Sequence, residues 1–266
     1  MTFLLNAGTA PLLASMPHTG TDIPAELRED FVPRALSVED TDWHLPGVYH
    51  CLPALGASVL RPRYSRYVID LNRPPDDTPM YPGASNTELC PTRFFTGDPL
   101  YREGCEPSPQ ERQRRLDLYW RPYHDALRSE LDRIQAEHGF ALLWDAHSIR
   151  SEIPWLFEGV LPDLNIGTAG GASAHDSIAN ATSYAAARYG DVSQVVNGRF
   201  KGGYITRHYG DPARRVHAVQ LEMCQSLYMK EKAPYAYDER LARRVQPVVA
   251  DMVRAALAAC KALYAR

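Results

Sequence analysis

The sequence contains no apolar run near the roughly 20 residues that span a bilayer, and its N-terminus lacks a basic segment followed by an apolar stretch. A cytoplasmic protein is the expectation. An excess of one charge is also missing: 29 basic and 32 acidic residues are interspersed to a net −3, which argues against a nucleic-acid or membrane partner. The five cysteines (Cys51, Cys90, Cys105, Cys224, Cys260) are scattered, odd in number and without CxxC spacing. They point to a reducing compartment and away from a thiolate metal site. Ile166–Gly171 is rich in glycine but has neither GxGxxG nor Walker spacing, so it reads as a loop rather than a phosphate cradle. There is no internal repeat and no low-complexity linker. At 266 residues the chain is therefore expected to form a single domain, 1–266.

What is present begins with Phe140–Ala141–Leu142–Leu143–Trp144, five apolar residues without helical periodicity. They suit a strand buried on both faces, expected to stop at Asp145 with His147 just beyond. Pro11–Met16 reads as a first strand, ending in a Pro17–His18–Thr19–Gly20 loop that presents an imidazole. Asp40–Trp43 looks like the acidic start of a short helix that Gly56 ends, and Ala57–Leu60 like the second strand. Ser108–Pro109–Gln110–Glu111 starts a long helix carrying Leu116, Tyr119, Tyr123, Leu127, Leu131 and Ile134, kinked at Pro122 and closed by Gly139. Further elements are expected at Trp155–Val160 (strand), His175–Tyr189 (helix), Val192–Val196 (strand), Val216–Met223 (strand) and Asp238–Leu263 (helix). Such alternation implies a three-layer α/β/α arrangement around a mixed, mostly parallel sheet.

Two segments are crowded with charge. Ser65–Pro74 sets Arg66, Asp70, Asn72 and Arg73 among the strand formers Tyr67, Val68, Ile69 and Leu71. It reads either as a salt-bridged edge strand or as guanidinium forks that bind an anionic substrate. Phe200–Gly210 reads as a flexible loop holding Lys201, Arg207 and His208. Between them, residues 74–107 are rich in proline and polar turns, expected to be a long excursion over one side of a site.

The carboxyl ends of strands are where open α/β sheets bind ligands, and His18, His147 and Glu222 are all expected there, with Asp42 opening the helix after the first strand. Two imidazoles and a carboxylate, with a fourth position left to water, make a catalytic zinc site; cobalt, manganese or iron would also be admitted. Asp145 either orients a ligand imidazole or caps a turn. His44, His50, His124, His138, His175 and His217 read as surface, helix-end or packing residues.

The blocks PHTG (17–20), DTDW (40–43), SRYVIDLNRP (65–74), WDAHS (144–148), FKGGYITRHYG (200–210) and VQLEM (219–223) together resemble the N-formylglutamate amidohydrolase family. That family is similar in fold to zinc carboxypeptidases and aspartoacylase, a phosphorylase/hydrolase-like architecture. The resemblance implies metal-dependent hydrolysis of N-formyl-L-glutamate, the last step of a histidine degradation route, with Zn2+ (or Co2+) held by His18, an acid and His147. It implies Glu222 as general base, Arg73 as a second catalytic group, and Arg66, Asn72, Arg73 and Arg207 as substrate-binding residues. The carboxypeptidase-like HxxE pattern is broken by Thr21, which leaves Asp22, Asp40 and Asp42 as candidates for the acidic ligand. The amidase relatives draw theirs from the start of the next helix, which favours Asp42. Competing readings are another zinc-dependent N-acyl-amino-acid deacylase or peptidase, and a dicarboxylate-binding protein without catalysis.

Overall fold

The computed structural model describes residues 1–80 and 86–265. The apolar stretch at 140–144 forms the first half of β4 (Ala141–Ile149), a nine-residue strand buried throughout. It occupies the middle of a seven-stranded sheet of order β1-β3-β2-β4-β7-β5-β6. The other strands are β1 (Phe3–Asn6), β2 (Leu12–Ser15), β3 (Ser58–Pro62), β5 (Leu164–Gly167), β6 (Gln194–Val196) and β7 (Val216–Cys224). β2, β3, β4 and β7 run parallel; β1 is antiparallel to β3, and β5, antiparallel to β7, carries β6 parallel beside it. The sheet is therefore mixed and mostly parallel, as the alternation of elements predicts.

Successive side chains of a strand point to opposite faces, and each face has its own core. Leu12, Ala14, Leu142, Trp144, Val219 and Leu221 pack against α4 (Asp176–Ala187), α6 (Glu239–Tyr264) and the short α1 (Leu45–Val48). Leu13, Ala141, Leu143, Val216 and Ala218 pack on the other face against Tyr123, Leu127, Leu131 and Ile134 of α3 (Arg121–His138). Helices thus cover both faces. On the α3 side the apolar positions end at Leu143 and Ala218. The next side chains on that face are Asp145 and His147 of β4 and Gln220 and Glu222 of β7, so polar groups occupy the strands' carboxyl-terminal half.

Several elements differ from expectation. β4 does not stop at Asp145: Trp144 and Ala146 continue the apolar alternation toward α6, so the strand carries His147 within it. Ser65–Pro74 forms no strand, because β3 already has a partner on each side and the segment lies buried over the α3 face instead. No strand forms at Trp155–Val160, whereas Phe3–Asn6 supplies an edge strand that was not anticipated. Residues 40–43 are a turn rather than a helix start, bracketed by left-handed backbone at Val38 (φ 46°) and His44 (φ 58°). Phe200–Gly210 contains a helix, α5 (Tyr204–Tyr209). Pro122 produces no break in α3; the strain is taken up by one π-helical turn at Leu116–Trp120, behind α2 (Pro109–Arg115), whose Ser108 cap accepts from the Glu111 amide. Residues 81–85, inside the proline-rich excursion, lie outside the described residues.

Candidate metal centre and cleft

His18 follows β2 in a turn whose glycine cannot be replaced: a Cβ on Gly20 would lie 2.1 Å from the Tyr64 carbonyl oxygen. The Asp42 amide donates to the His18 carbonyl at 3.0 Å, which draws the 40–43 turn alongside. Asp42 Oδ2 in turn accepts from the amide of Ser148 on β4, at 3.1 Å. The outcome is a buried trio of His18, Asp42 and His147, a cluster able to hold a metal ion.

Its dimensions can be tested against coordination chemistry. The two Nδ1 atoms are 3.2 Å apart, and Asp42 Oδ2 lies 3.4 Å from His147 Nδ1 and 3.8 Å from His18 Nδ1. Bonds of about 2.0–2.1 Å to a tetrahedral ion put neighbouring ligand atoms about 3.3–3.4 Å apart. The donor set fits a divalent transition metal.

Both imidazoles are oriented from behind. His18 Nε2 lies 2.7 Å from Asp70 Oδ1 and His147 Nε2 lies 3.0 Å from Asp145 Oδ1. Carboxylates there fix the Nε2–H tautomer and leave each Nδ1 lone pair facing the centre. Each carboxylate is itself held. Asp70 accepts from Arg66 Nη2 at 2.6 Å and from the Asn72 amide at 2.8 Å; Asp145 Oδ2 accepts from Thr206 Oγ1 at 2.9 Å.

The electrostatics follow. Burial and the Arg66 charge hold His18 below its ordinary pKa. At His147 burial is outweighed by the carboxylates of Asp145 and Asp42, and the pKa lies well above the ordinary value. Burial likewise opposes charge at Asp70, but His18 and Arg66 overcome it and keep the group well below the carboxylate range. The carboxylates of Asp42, Asp70 and Asp145 thus stand against the two rings. Glu222 stands beside it, paired with His147 across β4 and β7, and burial pushes its carboxyl up to about 8.

His18, His147 and Glu222 line one cleft together with Arg66, Asn72 and Arg73 and with the apolar Phe95, Leu156 and Phe200. Residues 10–229 match the family model described as N-formylglutamate amidohydrolase. The chain belongs to the N-formylglutamate amidohydrolase family. It is 53% identical over 251 residues (94% of each chain) to N-formylglutamate deformylase of Pseudomonas putida. It is 50% identical over 258 residues (97% of each) to the deformylase of Pseudomonas aeruginosa. A crystal structure of N-formylglutamate amidohydrolase from Ralstonia eutropha shares the fold, with a TM-score of 0.75 at 24% identity over 96% of this chain and 97% of that one.

In this family member the three acidic candidates separate cleanly. Asp42 faces the imidazoles. Asp40 is buried elsewhere, accepting from Tyr67 Oη at 2.8 Å, the Phe95 amide at 2.9 Å and Arg150 Nη2 at 2.8 Å; it anchors the loop that brings Phe95 to the cleft. Asp22 pairs with Arg63 on the surface, at 2.6 Å. Arg66, Asn72 and Arg73 line the cleft, but Arg207 does not: it lies exposed on α5, its Nε donating to the Gly202 carbonyl at 2.8 Å. The sequence reading missed two contributors. Asp70 appeared there only within a substrate-binding block, not as the carboxylate behind His18. Arg199, which does line the cleft, sits one residue before the block that began at Phe200.

The 70–73 segment owes its position to α3 and the π-turn. Trp120 Nε1 donates to the Arg73 carbonyl at 3.0 Å, and His124 Nε2 donates to the Leu71 carbonyl at 2.9 Å. His124 is therefore a buried packing residue, gripping the 70–73 segment.

Proposed function

We propose that this chain hydrolyses N-formyl-L-glutamate to formate and L-glutamate, using a divalent metal, zinc by its donor set, at His18, Asp42 and His147. One observation carries the reading. Two carboxylate-oriented imidazoles and Asp42 meet at metal-ligand spacing, with Glu222 beside them and cleft arginines in front. The names of the curated relatives support the substrate.

When bound, the ion supplies Lewis-acid polarisation of a carbonyl and a lowered pKa for water. Arg73 and Arg66, both on the cleft lining, place positive charge where the substrate's α-carboxylate and developing oxyanion sit. Asn72 adds its amide to the same lining. Glu222 accepts a proton from the attacking water as the oxygen joins the formyl carbon. It then gives that proton to the amide nitrogen as the C–N bond breaks, so one carboxylate serves both transfers. Free thiols at all five cysteines accord with a reducing, cytoplasmic setting for histidine catabolism.

Formate release from N-formyl-L-glutamate by metal-loaded protein, compared with the N-acetyl and N-succinyl analogues, tests the reading. Turnover that favours the formyl compound supports it. Tight binding of the dicarboxylate without turnover would make the protein a binder instead, and preference for a larger acyl group a different deacylase.

A further inference from the structure

The geometry points to Arg199 as the group that binds the side-chain carboxylate of the substrate, so that Arg73 and Arg199 together recognise a dicarboxylate of fixed length. The inference rests on the deformylase reading. Arg199 lines the same cleft as Arg73 but from a different segment, the connection between β6 and α5. Arg66 acts electrostatically on His18, Asp70 and Glu222, and Arg73 on Asp70. Arg199 Nη2 donates to the Leu156 carbonyl at 3.2 Å and its guanidinium rests 5.4 Å from the Phe200 ring centre, both residues of the same cleft. With the formyl carbon at the metal centre, the α-carboxylate stays near it. The γ-carboxylate carbon lies three bonds from Cα, against one for the α-carboxylate, and so reaches further along the cleft, where Arg199 supplies the second guanidinium.

The segment carrying Arg199 is pinned on both sides. Asn197, in left-handed backbone (φ 52°), accepts from the amides of Thr168 and Gly170 at 2.8 and 3.2 Å, while its own amide donates to the Ile166 carbonyl at 2.7 Å. At the other end the Gly203 amide donates to Gln220 Oε1 at 2.7 Å. Gly203 also packs so tightly on Asn72 that a Cβ would lie 2.3 Å from its Nδ2. The Ile205 amide donates to Asn72 Oδ1 at 2.8 Å. The backbone of the segment bearing Arg199 is thereby tied to the residue preceding Arg73, so the two arginines enter the cleft from backbones held to each other. Preorganisation of this kind converts a pair of cations into a length gauge.

The test compares N-formyl-L-glutamate with N-formyl-L-glutamine, which has the same shape but no γ-charge, in the metal-loaded wild type and in Arg199→Gln. The wild type should favour the glutamate compound. Arg199→Gln should lose on the order of 100-fold in kcat/KM for that compound and change little toward the glutamine compound, with metal content and melting temperature unaltered. Arg199→Lys, which keeps the charge but not the fork, should fall between, and it carries the comparison if Arg199→Gln does not fold. An active wild type whose glutamate-to-glutamine preference survives both substitutions would overturn this inference alone. A wild type that releases formate from neither compound would sink the deformylase reading and this inference with it.

Discussion

His147 and Glu222 are directly opposite one another in the parallel ladder of β4 and β7. Their side chains leave the sheet together on the α3 face, beyond the point where Leu143 and Ala218 end the core beneath. A candidate metal ligand and a candidate proton carrier are therefore neighbours by strand register, and the rigidity of two buried central strands holds them so.

That arrangement separates chemistry from assembly. Glu222→Gln keeps the shape of the side chain but cannot take a proton. The variant should fold, hold metal at full occupancy and bind substrate, while kcat falls by roughly 10²–10⁴-fold. Metal analysis alongside steady-state kinetics decides it: loss of metal would make Glu222 a ligand, and a near-normal kcat would place the base elsewhere.

Removing the ligands should have a different signature. His18→Ala, His147→Ala and Asp42→Ala are each expected to lose metal and activity together, whereas Asp22→Ala keeps both. Asp70→Asn and Asp145→Asn leave the ligands in place but weaken their orientation, so metal affinity should drop by roughly 10–100-fold. Competition with a graded chelator measures this. Wild-type affinity in both asparagine variants would show that the carboxylates behind the rings do not matter.

Arg73 is expected to resist its conservative replacement. Its Nε donates to the Thr87 carbonyl at 2.9 Å, Nη1 to the Asn72 carbonyl at 3.0 Å and Nη2 to Thr87 Oγ1 at 2.7 Å, which fixes the plane of the fork. Lysine offers a point charge on a flexible stem and cannot reproduce that plane. Arg73→Lys should lose about 2 kcal/mol or more in kcat/KM for N-formyl-L-glutamate. Unchanged kinetics would remove Arg73 from the substrate site.

His124 makes a prediction about pH. Burial lowers its pKa from 6.5 to about 3, and the neutral ring is satisfied on both sides by the Leu71 carbonyl and Tyr209 Oη. Between those two values the unfolded chain binds one more proton than the folded one, so stability rises with pH across the interval. The contribution of a neutral His124 is complete above about pH 6.5 and declines as pH falls toward the folded value. Relative to His124→Gln, the wild type should lose about 2 kcal/mol of unfolding free energy between pH 7 and pH 5. Denaturant unfolding of both proteins at the two pH values checks it; a pH-independent difference would mean that His124 titrates normally.

How much of this was legible beforehand varied from segment to segment. The five apolar residues at 140–144 marked a buried strand because a strand covered on both faces needs no polar positions. The capping Ser108 and the periodic α3 and α6 stripes were readable because their determinants lie within a few residues of each other. By contrast, Tyr67, Val68, Ile69 and Leu71 have strand propensity yet form no strand, since the preceding β3 already pairs on both sides and these residues pack over the α3 face. The glycines at 202–203 suggested a flexible loop. In the fold they are a tight crossing under Asn72, and six helical residues follow, too few to show a period.

The sequence by itself determined the chemical kind of the site: histidines at the ends of apolar runs, a glutamate alternating with core residues, and a dense basic block, all local patterns. Only the tertiary structure decided which acid faces the imidazoles and which arginines line the cleft. Asp40 and Asp42 are two residues apart, yet one meets Arg150 and the other faces the imidazoles, the His18 carbonyl holding the Asp42 amide and Phe95 and Tyr67 holding Asp40. Arg199 and Arg207 flank the same glycines, but the contacts of Gly203 with Asn72 and Gln220 leave the first at the cleft and the second on the outer side of α5. Those choices depend on where distant segments meet, because a side chain's direction is set by the backbone packed against it.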